Sequence, residues 1–166
     1  MIALIGFKGC GKTSIGKELA KIRGMRFIDL DRVIEDRYEA AEGESLSCRQ
    51  IYMKKDKKYF RNCEKSALNS ISGENVVLST GGGTPVDNGL ALKSMARVIY
   101  LKVDSDTLYR RIMAKGMPAF FDGNDPRGSF ERLLAEREPV YEGIADVTVD
   151  VSGLTKAQAA KQVAGK

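Results

Sequence analysis

Residues 6–13, Gly6-Phe7-Lys8-Gly9-Cys10-Gly11-Lys12-Thr13, follow the pattern G-x-x-x-x-G-K-[ST]. That pattern suits a chain of phosphates. Its glycines let backbone N–H groups curl around phosphate oxygens without Cβ obstruction, its lysine reaches the β- and γ-phosphates, and its hydroxyl ligates Mg2+. Gly9, Cys10, Gly11, Lys12, Thr13 and Ser14 are therefore the expected nucleotide-binding residues. A helix starting at the loop would turn its positive end toward the same anion. A plain glycine turn is the competing explanation, but a short apolar strand precedes this loop and a helix-period segment follows it. Cys10 reads as a small residue that fits the loop, although Lys8 and Lys12 beside it could lower its thiol pKa and open a redox role.

Asp29-Leu30-Asp31 lies just beyond a second short apolar run. In extended chain an i, i+2 spacing points both carboxylates the same way. At the carboxyl end of a parallel sheet they would face the ligand crevice. One could orient metal-bound water while the other accepts a proton from an acceptor hydroxyl. The plainer alternative is that Asp31 caps a helix and Asp29 is a solvated loop residue. The third apolar run, 76–78, passes into Ser79-Thr80 without an acidic residue, so Asp29 is the candidate metal-side carboxylate. Arg61 and Glu64, at i, i+3, can meet on one helix face. A guanidinium steadied in that way suits a substrate carboxylate, and an ordinary surface ion pair is the alternative. Gly81-Gly82-Gly83 lets backbone lie directly against a small ligand, or else is a flexible turn. The basic run 54–61 is expected to be a solvated helix face rather than a nucleic-acid patch, because Asp56 interrupts it and no glycine–aromatic motif accompanies it.

The rest of the composition narrows the chemistry. There is no histidine, which removes Ser–His–Asp triads, Cys–His pairs and imidazole-ligated zinc. Acid–base work then falls to a carboxylate, a lysine, a cysteine or a metal held by oxygen. The net charge, 27 − 22 = +5, suits an anionic partner. Cys10, Cys48 and Cys63 are odd in number and widely spaced, as expected for reduced thiols rather than a disulfide framework. No apolar run approaches the roughly 20 residues of a membrane span, and the start MIALIGFKG lacks the basic lead and cleavage site of a signal peptide. A cytoplasmic protein is expected.

These residues need elements to hold them. Apolar runs at 2–5, 26–28, 76–78, 98–101 and 147–151 read as strands. Helix-period segments read at 12–23, after an Asp31 cap, as a pair over 45–72, at 88–94, at 106–114, at 129–141 behind a Ser129 cap, and at 155–163. Residues 116–128, rich in Gly, Pro, Asn and Asp, read as irregular. Five apolar strands separated by helices make an α/β fold, a parallel sheet covered on both faces. At 166 residues one domain is expected over 1–166.

In order, GFKGCGKT, FIDLDRVIE, FRNCE, VVLSTGGG and EREPVY resemble the motifs of the shikimate kinases. The resemblance spans Ile2 to about Val151. It implies a three-layer P-loop kinase like the nucleoside monophosphate kinases, which transfers the γ-phosphoryl of ATP to the 3-hydroxyl of shikimate in aromatic amino-acid biosynthesis. It further implies that Lys12 and Thr13 handle phosphate and Mg2+, that Asp29 holds the metal through water, and that Asp31 binds the acceptor hydroxyls and acts as base. Arg61 and Arg137 would grip the shikimate carboxylate, with Glu64 positioning Arg61. Gly81, Gly82 and Gly83 would contact the ring, Arg110 would lie near adenine, 31–62 would be the acceptor-binding region, and 115–128 a lid. A monomer with no nucleic-acid or membrane partner is expected. One departure stands out: the family's lid opens Arg-Pro-Leu-Leu, where this chain has Met117-Pro118-Ala119-Phe120. Lys115 or Arg127 is the expected substitute for the missing arginine. The alternatives are a diverged nucleotide-binding module with little kinase activity, or a kinase for another small hydroxy acid such as gluconate.

Overall fold

The computed structural model describes residues 1–118 and 121–166, so Ala119 and Phe120 of the expected lid opening lie outside the described residues. Five strands form one parallel sheet in the order β2-β3-β1-β4-β5: β1 (Ile2–Ile5), β2 (Arg26–Asp29), β3 (Val76–Ser79), β4 (Arg97–Lys102) and β5 (Val147–Asp150). The central strands are apolar nearly throughout because helices cover both of their faces; every residue of β3 is buried. The exposed positions fall on the edge strands β2 and β5 and at Arg97, the first residue of β4. Register places Leu4 beside Ser79 and Ile99, and Asp29 beside Ser79. The carboxyl ends of β1, β2 and β3 therefore finish together. The order reverses direction at β1, and in such sheets the crevice beyond the strand ends at that point is where ligands bind.

Among the described residues eight helices flank the sheet: α1 (Lys12–Arg23), α2 (Leu30–Glu42), α3 (Cys48–Lys54), α4 (Lys57–Asn69), α5 (Thr84–Met95), α6 (Ser105–Met113), α7 (Pro126–Ile144) and α8 (Lys156–Ala164). Helix α1 packs against α8 and over β2 and β3, and α5 packs against α7. Gly16 allows α1 to come close to β2, since a Cβ there would lie 2.7 Å from the Phe27 ring. Among the described residues no helix is long and apolar enough to cross a membrane.

The structure corrects four local expectations. Asp29, not Asp31, caps α2, accepting from the Asp31 N–H, and Asp31 sits in the first turn of the helix rather than in extended chain. Helix α5 starts at Thr84, not 88, with Pro85 in its first turn, and Asn88 is a kink inside it. Helix α7 starts at Pro126 and is capped by Asp125, so the end of the expected irregular segment is already helical and Ser129 is not a cap. The lysine run is no single helix face, because α3 ends at Lys54 and Asp56 caps α4. Within it, Lys54 pairs with Glu44 and Lys55 with Glu42.

Candidate functional site

Between β1 and α1 the loop of residues 6–11 closes into a compact ring. Gly6 holds φ +140°, and a Cβ there would lie 2.7 Å from the Leu101 carbonyl oxygen; both facts demand glycine. The Lys12 ammonium turns back into the ring, donating to the carbonyls of Gly6 at 2.8 Å and Phe7 at 3.0 Å. Cys10 is 1% exposed, with its Sγ 3.6 Å from the Lys12 Nζ; the thiol is packed inside the loop. Arg111, which sequence reasoning passed over, donates to the Gly9 carbonyl at 3.4 Å. Arg110, one position earlier on α6, is exposed and bonds Thr107 instead. Ser14 is exposed on the first turn of α1.

Where β1, β2 and β3 end, Thr13 donates its hydroxyl to Asp29 Oδ2 at 2.9 Å, and Ser79 Oγ lies 3.5 Å from the same hydroxyl. These donors are hydroxyl and carboxylate oxygens only, the chemistry a small hard cation accepts. Among the described residues no three His, Cys, Asp or Glu side chains gather to hold a metal by themselves. A cation at Thr13 and Asp29 would therefore complete its shell from phosphate oxygens and water, which is the habit of Mg2+.

Asp31 follows two residues on, in the first turn of α2. It is solvent-accessible, yet the protein around it desolvates its carboxylate. That burial, with the negative charges of Asp29, Glu64 and Glu35, pushes its pKa up to about 6 against the pull of Lys12. Beside it a side chain on Gly81 would be crowded: a Cβ would sit 3.0 Å from Thr84 Oγ1, 3.2 Å from Asp31 Oδ1 and 3.3 Å from Glu64 Oε1. Cys48, at the start of α3, donates its thiol to the Asp31 carbonyl at 3.3 Å. The same carboxylates, with burial, push the Cys48 thiol far up, so it stays protonated.

Glu64, which also bears on the Asp31 charge, holds Arg61. Glu64 is 2% exposed, accepts from the Thr84 hydroxyl at 2.7 Å and pairs with Arg61. The Arg61 Nε also lies 2.8 Å from Asp87 Oδ2. A Cβ on Gly83 would fall 2.6 Å from an Arg61 guanidinium nitrogen, so the glycine triplet and the guanidinium are in direct apposition. Arg137 lies with its guanidinium 5.7 Å from the centre of the Phe7 ring. One turn on, Tyr141 donates to the Gly82 carbonyl at 2.5 Å. The structure thus brings Lys12, Thr13, Asp29, Asp31, Arg61, Gly81, Gly82, Gly83 and Arg137 to one crevice. Thr84, Asp87 and Tyr141 are not singled out by the sequence as functional partners; Thr84 and Asp87 follow the glycine triplet within four residues, and Tyr141 ends the EREPVY motif.

The lid region supplies less. Met117 is exposed. Arg127 is held by Asp106 at 2.7 Å and Glu131 at 2.6 Å, with its guanidinium 4.9 Å from the Tyr109 ring. Lys115 lies near enough for its charge to oppose that of Lys8.

A family profile described as shikimate kinase matches residues 8–166. A shikimate kinase of Actinobacillus pleuropneumoniae is 37% identical over 166 residues, covering 98% of this chain and 90% of the relative. Another, from Caldanaerobacter subterraneus subsp. tengcongensis, is 34% identical over 165 residues, with 98% and 92% covered. Among solved structures, shikimate kinase from Acinetobacter baumannii in complex with shikimate superposes with a TM-score of 0.86 at 28% identity, over 98% of this chain and 89% of that one.

Proposed function

Because the chain belongs to the shikimate kinase family, we propose that this crevice transfers the γ-phosphoryl group of ATP to the 3-hydroxyl of shikimate, giving shikimate 3-phosphate and ADP for aromatic amino-acid synthesis. The observation that carries the reading is Asp31. Its carboxylate, with a pKa raised to about 6, is flanked by Lys12 and Asp29 of the phosphate loop side and by Gly81 and Glu64 of the arginine side. A base so tuned is matched to a hydroxyl acceptor near neutral pH.

The roles follow from the chemistry of each group. Lys12 exchanges its loop carbonyls for the β- and γ-phosphates. Thr13 and Asp29 would hold Mg2+, which neutralises phosphate charge when bound. Arg61, fixed by Glu64, and Arg137 clamp the carboxylate of shikimate, and Gly81, Gly82 and Gly83 lie against its ring. Arg110 stands toward the adenine side. The 3-hydroxyl oxygen attacks the γ-phosphorus in line, its proton passes to Asp31, and the bond to the bridging oxygen breaks with its electron pair leaving on ADP. Catalysis is then chiefly positioning and electrostatic stabilisation. Residues 115–128 act as the lid that excludes water, within one catalytic unit over 1–166. We place it in the cytoplasm as a monomer, with ATP and shikimate as its partners and no nucleic acid or membrane.

A coupled assay of ADP release, with and without shikimate and with gluconate as control, tests the reading. Shikimate-dependent release is expected. Release with gluconate alone would assign a different small acid, and nucleotide binding without turnover would leave only a diverged binding module.

A further inference from the structure

In the glycine triplet the carbonyls are held and the N–H groups are not. The Gly81 carbonyl accepts from the Thr84 N–H at 3.2 Å, and the Gly83 carbonyl from the Val86 N–H at 3.1 Å, where α5 begins. The Gly82 carbonyl, between them, accepts from the Tyr141 hydroxyl at 2.5 Å. Among the described residues no protein acceptor receives the N–H of Gly81, Gly82 or Gly83. A backbone N–H is an obligatory donor. Three in succession at the N-terminal end of a 12-residue helix, where its dipole is positive, suit the oxygens of an anion.

The middle carbonyl decides how that row of donors is turned. A trans peptide is planar, with its C=O and the following N–H on opposite sides, and the described residues contain no cis bond. With the Gly82 carbonyl drawn to Tyr141 on α7, the Gly83 N–H points away from α7. Gly83 is also the glycine that the Arg61 guanidinium meets, one of its nitrogens lying 2.6 Å from the Cβ position. The triplet has little room to slide, because a Cβ on Gly82 would meet backbone atoms of Lys8, Gly6 and Phe7 between 3.2 and 3.7 Å away. Rotation of the Gly82–Gly83 peptide is the freedom left to it, and the Tyr141 hydroxyl removes that freedom. Tyr141 is itself fixed: its side chain is fully buried, with its ring 5.3 Å from that of Tyr100. Burial also pushes its hydroxyl pKa far up, so it stays a donor.

We propose that Tyr141 is a positioning residue for the acceptor, its hydroxyl locking the Gly82–Gly83 peptide so that the Gly83 N–H joins Arg61 in receiving the acceptor's carboxylate. The proposal rests on the kinase reading above. Tyr141 touches neither substrate and acts through the peptide it holds.

The test uses the full chain with Tyr141→Phe and, as comparator, Tyr100→Phe, which removes the hydroxyl of the neighbouring ring, bonded to Glu138 at 3.4 Å and not to the triplet. Wild type should release ADP in a shikimate-dependent way. Tyr141→Phe should raise KM for shikimate about tenfold, the worth of roughly one hydrogen bond to a charged group, with kcat and KM for ATP changed less than about threefold. Tyr100→Phe should keep the KM for shikimate of wild type. An NMR titration of the 15N-labelled protein reads the peptide directly. Saturating shikimate should shift the Gly83 amide resonance strongly in wild type, and that shift should be largely lost in Tyr141→Phe. The wild-type arm needs no variant to fold, and a Gly83 amide that ignores shikimate there overturns the proposal. So does a Tyr141→Phe protein that melts lower but keeps its KM for shikimate, or one whose KM for ATP rises by the same factor. Absence of shikimate-dependent release in wild type overturns the kinase reading, and the proposal falls with it.

Discussion

Burial and the carboxylates of Asp29, Glu64 and Glu35 all disfavour the charged form of Asp31, and Lys12 is the cation that opposes them. The proton is therefore held more tightly in the folded chain than in the unfolded one. With the pKa raised from 3.8 to about 6, stability is lost as pH rises through that window, and the ionised base needed for transfer appears over the same range. We expect kcat to fall as pH drops through about 6, read from the pH profile of shikimate-dependent ADP release. Asp31→Asn should cost about 10²–10⁴-fold in kcat and leave ATP binding intact. It should melt slightly higher than wild type at pH 7.5, because a poorly placed charge is gone. Near-normal turnover in that variant would remove Asp31 from the chemistry. Gly83 gives a second prediction. Its φ of −95° is ordinary, so alanine is excluded only by the Arg61 guanidinium 2.6 Å from the Cβ position. Gly83→Ala should raise KM for shikimate, with KM for ATP little changed.

Most elements were legible because central strands buried on both faces leave continuous apolar runs and their helices keep a 3.6-residue period. The failures fell at helix starts. Asp31 looked like a cap because it precedes Val33 and Ile34, but the strand ends one residue after Ile28 and Asp29 takes the position. The starts of α5 and α7 were hidden by their prolines, Pro85 and Pro126, which read as loop although proline is favoured in a first helical turn. The phosphate loop could be read whole because its chemistry is local in sequence. The grip on Arg61 could not, because it joins α4 to Thr84 and Asp87 on α5. Helix α4 also shows how far from the crevice the site begins. The Asp56 side chain accepts the Tyr59 N–H at 2.6 Å and starts the helix one turn before Arg61. Asp56→Ala should cost about 1 kcal/mol, lowering Tm by about 2–4 °C, and should raise KM for shikimate as Arg61 loses its footing. Thermal melts and steady-state kinetics on the same preparation check both.

At the scale of the whole molecule, the sheet order gathers the ends of β1, β2 and β3 at one crevice, and both half-sites are built from their loops. Ligands that bind only the folded chain must then stabilise all of it. Saturation at 100 times Kd is worth about 2.7 kcal/mol, or about 5–10 °C in Tm for a chain of this length. ADP with shikimate should exceed ADP alone in a thermal-shift measurement; a protein whose Tm ignores shikimate would lack the second half-site. Helix α7 runs 19 residues from Pro126 to Ile144, about 28 Å at 1.5 Å per residue, and connects the root of the lid to Arg137 and to Tyr141 on the Gly82 carbonyl. With the proposed lid and the Tyr141 anchor at the two ends of one helix, which holds Pro139 two residues before the anchor, a tilt of α7 that closes one is expected to shift the other. We expect nucleotide and acceptor to feel each other's presence through that helix, and thermodynamic reciprocity requires the factor by which each tightens the other to be the same in both directions.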